Sequence, residues 1–138
     1  KTHAATAGFN YAQPWGVLLH ANSASSTDNT AVGVDLALAG YGSSDSSTDG
    51  GWLMYQVFAG AAAGGTAAIK VQHASTNENA DFTDLLSTGS IDVGTARVSG
   101  VVALATTAAV KQFVRWQVAF GTATSVTFAL GFIRGHPR

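Results

Sequence analysis

The chain of 138 residues has no cysteine. No disulfide can staple it, and no thiolate is present to bind a metal or attack a substrate. Proline occurs only twice, at Pro14 and Pro137, and neither interrupts an apolar run. Charge is scarce as well. Lys, Arg, Asp and Glu make up 11% of the chain, where about 25% is usual. The net charge of -1 gives no global argument for nucleic acid or for a membrane surface. No apolar run reaches the roughly 18 residues of a membrane helix; Val101–Val110 is too short and is broken by threonines. The first residue is Lys1 and not Met, which implies that upstream residues were removed or lie outside the numbering.

What is abundant is small and apolar. Hydrophobic residues are 46% of the chain, with 16 glycines. So few charges on so apolar a chain fit two readings. Either partner subunits cover much of the surface, or the surface is a neutral Ser/Thr/Gly coat. All eight acidic residues lie at or before Asp92, and five of the seven basic ones (Arg97, Lys111, Arg115, Arg134, Arg138) lie after it. This hints at electrostatic complementarity between neighbouring subunits.

Length points to one domain able to bury about two-thirds of its unfolded surface. The clearest pattern is Lys111–Arg134. Val114, Trp116, Val118 and Phe120 share one face of a strand, and Val126, Phe128, Leu130 and Phe132 share one face of the next. This period-2 alternation marks half-buried strands, and Gly121–Ser125 reads as the turn of a hairpin between them. Trp116, Phe128 and Phe132 are expected in the core.

Upstream, Trp15–His20 reads as a strand and Ala21–Thr30 as a Ser/Asn-rich loop. Ala31–Ala39 alternates as a half-buried strand with Val32, Val34, Leu36 and Leu38 inward. Gly40–Gly51 is a long polar loop. Trp52–Ala59 is bulky on both faces, so it should be central or covered twice. Thr66–His73 places Ile69 and Val71 inward. Phe82–Leu86 returns apolar anchors to the core. Ala96–Leu104 is a strand in which Gly100 reads as a bulge. No segment carries a capped 3.6-residue apolar stripe. The fold class is therefore all-β: an antiparallel two-sheet β-sandwich or jelly roll of seven to eight strands. Residues 1–13 read as an extended N-terminal arm and 14–138 as a single sandwich domain.

No catalytic residue, metal site or cofactor site emerges. His3, His20, His73 and His136 show no metal-ligand spacing and read as isolated polar or edge-of-core histidines. Asp45 and Asp49 would offer oxygen ligands to Ca²⁺, but their spacing fits no EF-hand loop. Asn77, Glu78, Asp81 and Asp84 cluster on one loop, without the opposed carboxylates that glycoside hydrolysis needs. No G-x-S-x-G or phosphate loop is present. Trp15, Trp52, Trp116, Tyr41 and Tyr55 suggest a possible surface glycan platform; core packing is the simpler reading for Trp116.

From Gly50 onward the order of features carries a resemblance. It runs Gly-Gly-Trp into a bulky strand, then IKVQHASTNENADFTDL, then KQFVRWQVAF, then SVTFALGFIRG. This resembles virion structural proteins of tailed bacteriophages, among them jelly-roll capsid decoration (cement) proteins. Ala74–Ala80 departs from that pattern with a longer polar loop, and Gln112-Phe113 stands where Arg-Tyr is commoner. The resemblance implies a non-enzymatic subunit on the capsid surface, most often a homotrimer, whose partners are itself and the major capsid protein of a phage. Contacts are then expected from the arm (Phe9, Tyr11), the long loop (Tyr41, Asp45, Asp49) and the tail (Arg134, Arg138). The alternatives are a tail-tube or fibre subunit and a carbohydrate-binding or host-adhesion module.

Overall fold

The computed structural model describes residues 16–27, 33–36, 46–95 and 97–135. Within them the fold is all-β. The strands are β1 (Val17–Ser25), β2 (Val34–Asp35), β3 (Gly51–Ala61), β4 (Thr66–Ala74), β5 (Thr83–Ser87), β6 (Ile91–Asp92), β7 (Val98–Ala103), β8 (Phe113–Phe120) and β9 (Ser125–Arg134). The one helical feature among the described residues is a 3₁₀ turn at Asn79–Asp81.

Two antiparallel sheets result. One has the order β1-β9-β3-β7, the other β2-β8-β4-β5 with β6 added beside β4. Four of the pairings, β1 with β9, β2 with β8, β3 with β7 and β4 with β5, join early strands to late ones in reverse order. A long antiparallel ribbon rolled on itself gives this pattern, and β9–β3 and β8–β4 close the roll. The result is a jelly roll, an architecture that manages edge strands by wrapping two sheets together.

The core lies between the sheets. Val126, Phe128, Leu130 and Phe132 of β9 are fully buried, as are Leu53 and Val57 of β3. Across from them lie Ile69, Val71, Val114 and Val118, equally buried. Each such side chain contributes roughly 1.5–3 kcal/mol of burial. Trp116 is half-buried at the margin of this core.

β8 and β9 do not form a hairpin. β8 pairs with β2 and β4, whereas β9 pairs with β1 and β3 in the other sheet. The physical reason is that both strands carry one strongly apolar face. Side by side, both faces would need a third layer; in opposite sheets each face covers the other. The link 121–124 crosses the sandwich and is pinned to the parallel crossing from β3 to β4. Gly121 N and Ala123 N donate to Thr66 O (2.9 and 3.1 Å), and Thr66 N donates to Thr122 Oγ1 (3.0 Å).

Other boundaries differ from the sequence expectations. β1 runs on to Ser25 through the stretch expected as a loop, with register shifts around His20. There the His20 ring turns into the core and stacks on Phe128 at 3.9 Å. In the expected strand at 31–39, the described part is Val34–Asp35, with Leu36 buried but Val34 38% exposed. Gly100 is not a bulge, since β7 keeps register with β3 throughout. Its missing side chain makes room for the Tyr55 ring, which a Cβ would meet at 2.9 Å.

Candidate interaction surface

The outer faces of the two sheets are chemically unlike. The strands of the five-stranded sheet carry Asp35, Lys70, Asp84, Asp92 and Arg115. Lys70 Nζ reaches Asp84 Oδ2 at 2.6 Å, and Gln72 Nε2 donates to Asp84 Oδ1 at 2.8 Å. These two bonds, Lys70 first, hold the Asp84 carboxyl below the ordinary range. Arg115 is buried. It donates from Nε to Gln72 Oε1 (2.9 Å) and from Nη1 to Asn79 Oδ1 (2.6 Å), and its guanidinium lies 4.2 Å over the Phe82 ring.

This network clips the 75–82 loop over β4 and β8. Thr76 donates to Asp81. Asn77 Oδ1 accepts from Gly33 N at 2.7 Å and so ties the loop to β2. The local acidic cluster seen in the sequence thus serves as a loop fastening. Among the described residues no three His, Asp or Glu come together as metal ligands would.

Two histidines are placed. His20 is 8% exposed. Its Nδ1 donates to Phe128 O at 2.9 Å, and Nε2 faces Ser25 Oγ at 3.2 Å and Ser23 Oγ at 3.3 Å. Its ring is fixed between Phe128 and the edge of Trp116, 4.6 Å away. That arrangement braces the irregular start of β1. His73 Nδ1 accepts from Lys111 N at 3.3 Å. Burial first, and Lys111 second, push its pKa below the ordinary value. A cleft of about 220 Å³, lined by Phe58, Gly60, Val93 and Thr95 among others, has Arg97 as its one charged residue.

Among the described residues, the strands of the four-stranded sheet bring no charge to its outer face. In β1, β3, β7 and β9 the only Lys, Arg, Asp or Glu is Arg134, and Arg134 is 2% exposed on the inward side. Instead, apolar side chains stand in cross-strand rows. Leu18 pairs with Gly131, Gly131 with Met54, and Met54 with Val101. The next row is Ile133, Trp52 and Ala103. Leu18 is 66%, Val101 63%, Trp52 41% and Met54 36% exposed.

Of the residues expected to make contacts, Phe9, Tyr11, Tyr41, Asp45 and Arg138 lie outside the described residues. Asp49 is half-buried, with its carbonyl against Gly135. Arg134 ends β9 opposite Gly51, inside the fold, so the expected tail begins within the sheet. The expected aromatic platform is not assembled from described residues: Trp116 sits between the sheets, Tyr55 packs on the core, and Trp52 stands exposed without an aromatic neighbour in its row. The apolar rows were not expected. Their signal was the bulk on both faces of Trp52–Ala59. β3 is indeed central, but no described residue covers its second face.

A scan against protein-family models finds no match, and a search of curated proteins finds no significant relative. The fold defines the chain as a two-sheet jelly-roll β-sandwich.

Proposed function

We propose that this chain is a non-enzymatic virion structural protein, a capsid decoration subunit. It assembles as a homotrimer and binds the major capsid protein on the outer surface of a phage head. The observation that carries the reading is a jelly roll with one sheet face free of charge and rich in exposed apolar side chains. Such a face fits a subunit that works by burying surface against neighbours. Jelly rolls recur in viral capsids. That is an argument by analogy of fold, and it agrees with the sequence resemblance.

In this reading the arm, residues 1–13, supplies Phe9 and Tyr11 as anchors for a groove on the shell. Many copies and three-fold valency raise the effective strength of a modest contact. The test is co-sedimentation with undecorated capsid shells. Deleting Lys1–Tyr11 is expected to leave the sandwich folded and the trimer intact while weakening attachment. Undiminished binding removes the arm from the mechanism, and failure of the full chain to bind removes the decoration role. Jelly rolls also occur as lectin domains, and Trp52 is an exposed aromatic. Saturable binding on a glycan array, with no binding to shells, would favour that second reading.

A further inference from the structure

We infer that the outer face of the four-stranded sheet is where copies of this chain pack against one another. The inference names the surface for the self-association proposed above and rests on that reading.

Three observations carry it. First, β3 is bulky on both sides, as strands buried on both faces are. Leu53 and Val57 are covered by the core, whereas Trp52 and Met54 are left open. Second, among the described residues its strands bring no charge to this face, although those of the other sheet carry Asp35, Lys70, Asp84, Asp92 and Arg115. Around the three-fold axis of the trimer proposed above, the same residues of all three copies converge at the axis. Any lone charge there would meet its like, so an uncharged face suits a second copy better than it suits a charged partner. Four strands about 4.8 Å apart and some six residues long present roughly 400 Å² of projected area. Three such faces turned together remove on the order of 1,500 Å² of accessible surface, shared among three contacts, each at the low end for a specific interface.

The third observation is Gly131. Glycine in a strand interior weakens the strand and commonly marks the close approach of another backbone or ligand. The other strand glycines are explained inside the chain: Gly100 by the Tyr55 ring, Gly51 by Phe132 and Ile133 O, Gly60 by Val93. Gly131 is not. A Cβ there would meet Met54 Cε and Val17 O at 3.7 Å each, ordinary contact distance. The fold itself has room for a Cβ there. Its absence leaves a dent between Leu18 and Met54 in the middle of the apolar row, shaped to receive a side chain from the neighbouring copy.

The experiment is light scattering and sedimentation of the full chain from micromolar to several hundred micromolar, with three variants. Gly131→Val suits a strand, and its Cβ meets the single chain only at ordinary contact distance, beside the flexible end of Met54, so its folding should be largely unchanged by near-UV circular dichroism and denaturant titration. It should nevertheless weaken association at least about tenfold by filling the dent. Met54→Glu/Val101→Glu places two carboxylates on the face and should leave monomers, since unpaired charges buried in an interface are strongly disfavoured. Leu18→Glu, on the edge strand, repeats the charge test at the most exposed site. A wild-type chain that is monomeric throughout overturns both this inference and the self-association it rests on. A wild-type oligomer that survives all three changes overturns the face alone. Loss of association in the charged variants but not in Gly131→Val would keep the face and overturn the role of the dent.

Discussion

Replacing Phe128 with Ala tests the core reading most directly. The side chain is fully buried in the middle of β9. Its ring stacks on His20 at 3.9 Å with 4° between planes and meets the edge of Trp116 at 5.7 Å. Truncation removes those contacts and opens a cavity between two sheets whose backbones are fixed by ladders on both sides of β9, so collapse is limited. Large aromatics in such sites cost about 3–5 kcal/mol, of which each aromatic pair supplies roughly 0.5–1.5 kcal/mol. Against a typical total of about 5–15 kcal/mol, the variant should fold but be marginal. In guanidinium, with a slope of a few kcal/mol per molar, the midpoint should fall by about 1 M at unchanged slope. Thr127→Ala, one residue along on the opposite face, should shift stability by less than about 0.5 kcal/mol. A double-mutant cycle with His20→Ala should return a coupling of about 1 kcal/mol. A Phe128→Ala loss below about 1 kcal/mol would refute the inward face of β9 and with it the jelly-roll packing.

Two further outcomes are expected. Arg115→Met keeps an apolar stem but removes the guanidinium from the Phe82 ring and leaves the Gln72 and Asn79 oxygens without this donor; it should cost about 1–3 kcal/mol and speed hydrogen exchange or proteolysis selectively in the 75–82 loop, and unchanged protection there would show that the clip is idle. His73 has a folded pKa below its ordinary 6.5, so an unfolded chain takes up a proton there that the folded chain refuses, and stability should fall as pH drops below about 6.5 and be unaffected above it. His73→Gln should flatten that slope, and equal slopes in the two proteins would refute the assignment. Asp84, also lowered, loses its contribution only below its ordinary 3.8, so its loss begins at a lower pH than that of His73.

How much of this was legible follows from what alternation can say. Period 2 reports which side of a strand is buried, and it placed Val114, Val118, Phe128 and Phe132 correctly. It does not report which strand lies alongside. β8 and β9 are neighbours in sequence and face each other across the core, and a short polar link suits a hairpin and a sheet-to-sheet crossing equally well. β1 was cut short for a related reason. Asn22, Ser23 and Ser25 look like loop residues, and the strand persists there because His20 turns inward and takes up both hydroxyls and a carbonyl. Gly100 and Gly131 are both strand glycines to the eye; only the structure shows that one is filled by a ring and that the other borders Met54 and Val17 at ordinary contact distance.

The low charge of the chain takes on a location once the sheets are known. Spread evenly, so few charges would leave every face poorly solvated. In the fold they are not spread evenly: the strands of one sheet hold an ion pair, a buried guanidinium and their hydrogen-bond partners, while the strands of the other hold only the inward Arg134. Removing Leu18 or Val101 would cost the single chain little, because most of each side chain is already exposed. Their bulk therefore contributes little to the fold as an isolated unit. It gains value only when a neighbour removes the face from water, at roughly 25 cal/mol for each Å² of apolar surface. On the proposed reading the two faces divide the work, one fastening the 75–82 loop and carrying the charge, the other open to a second copy.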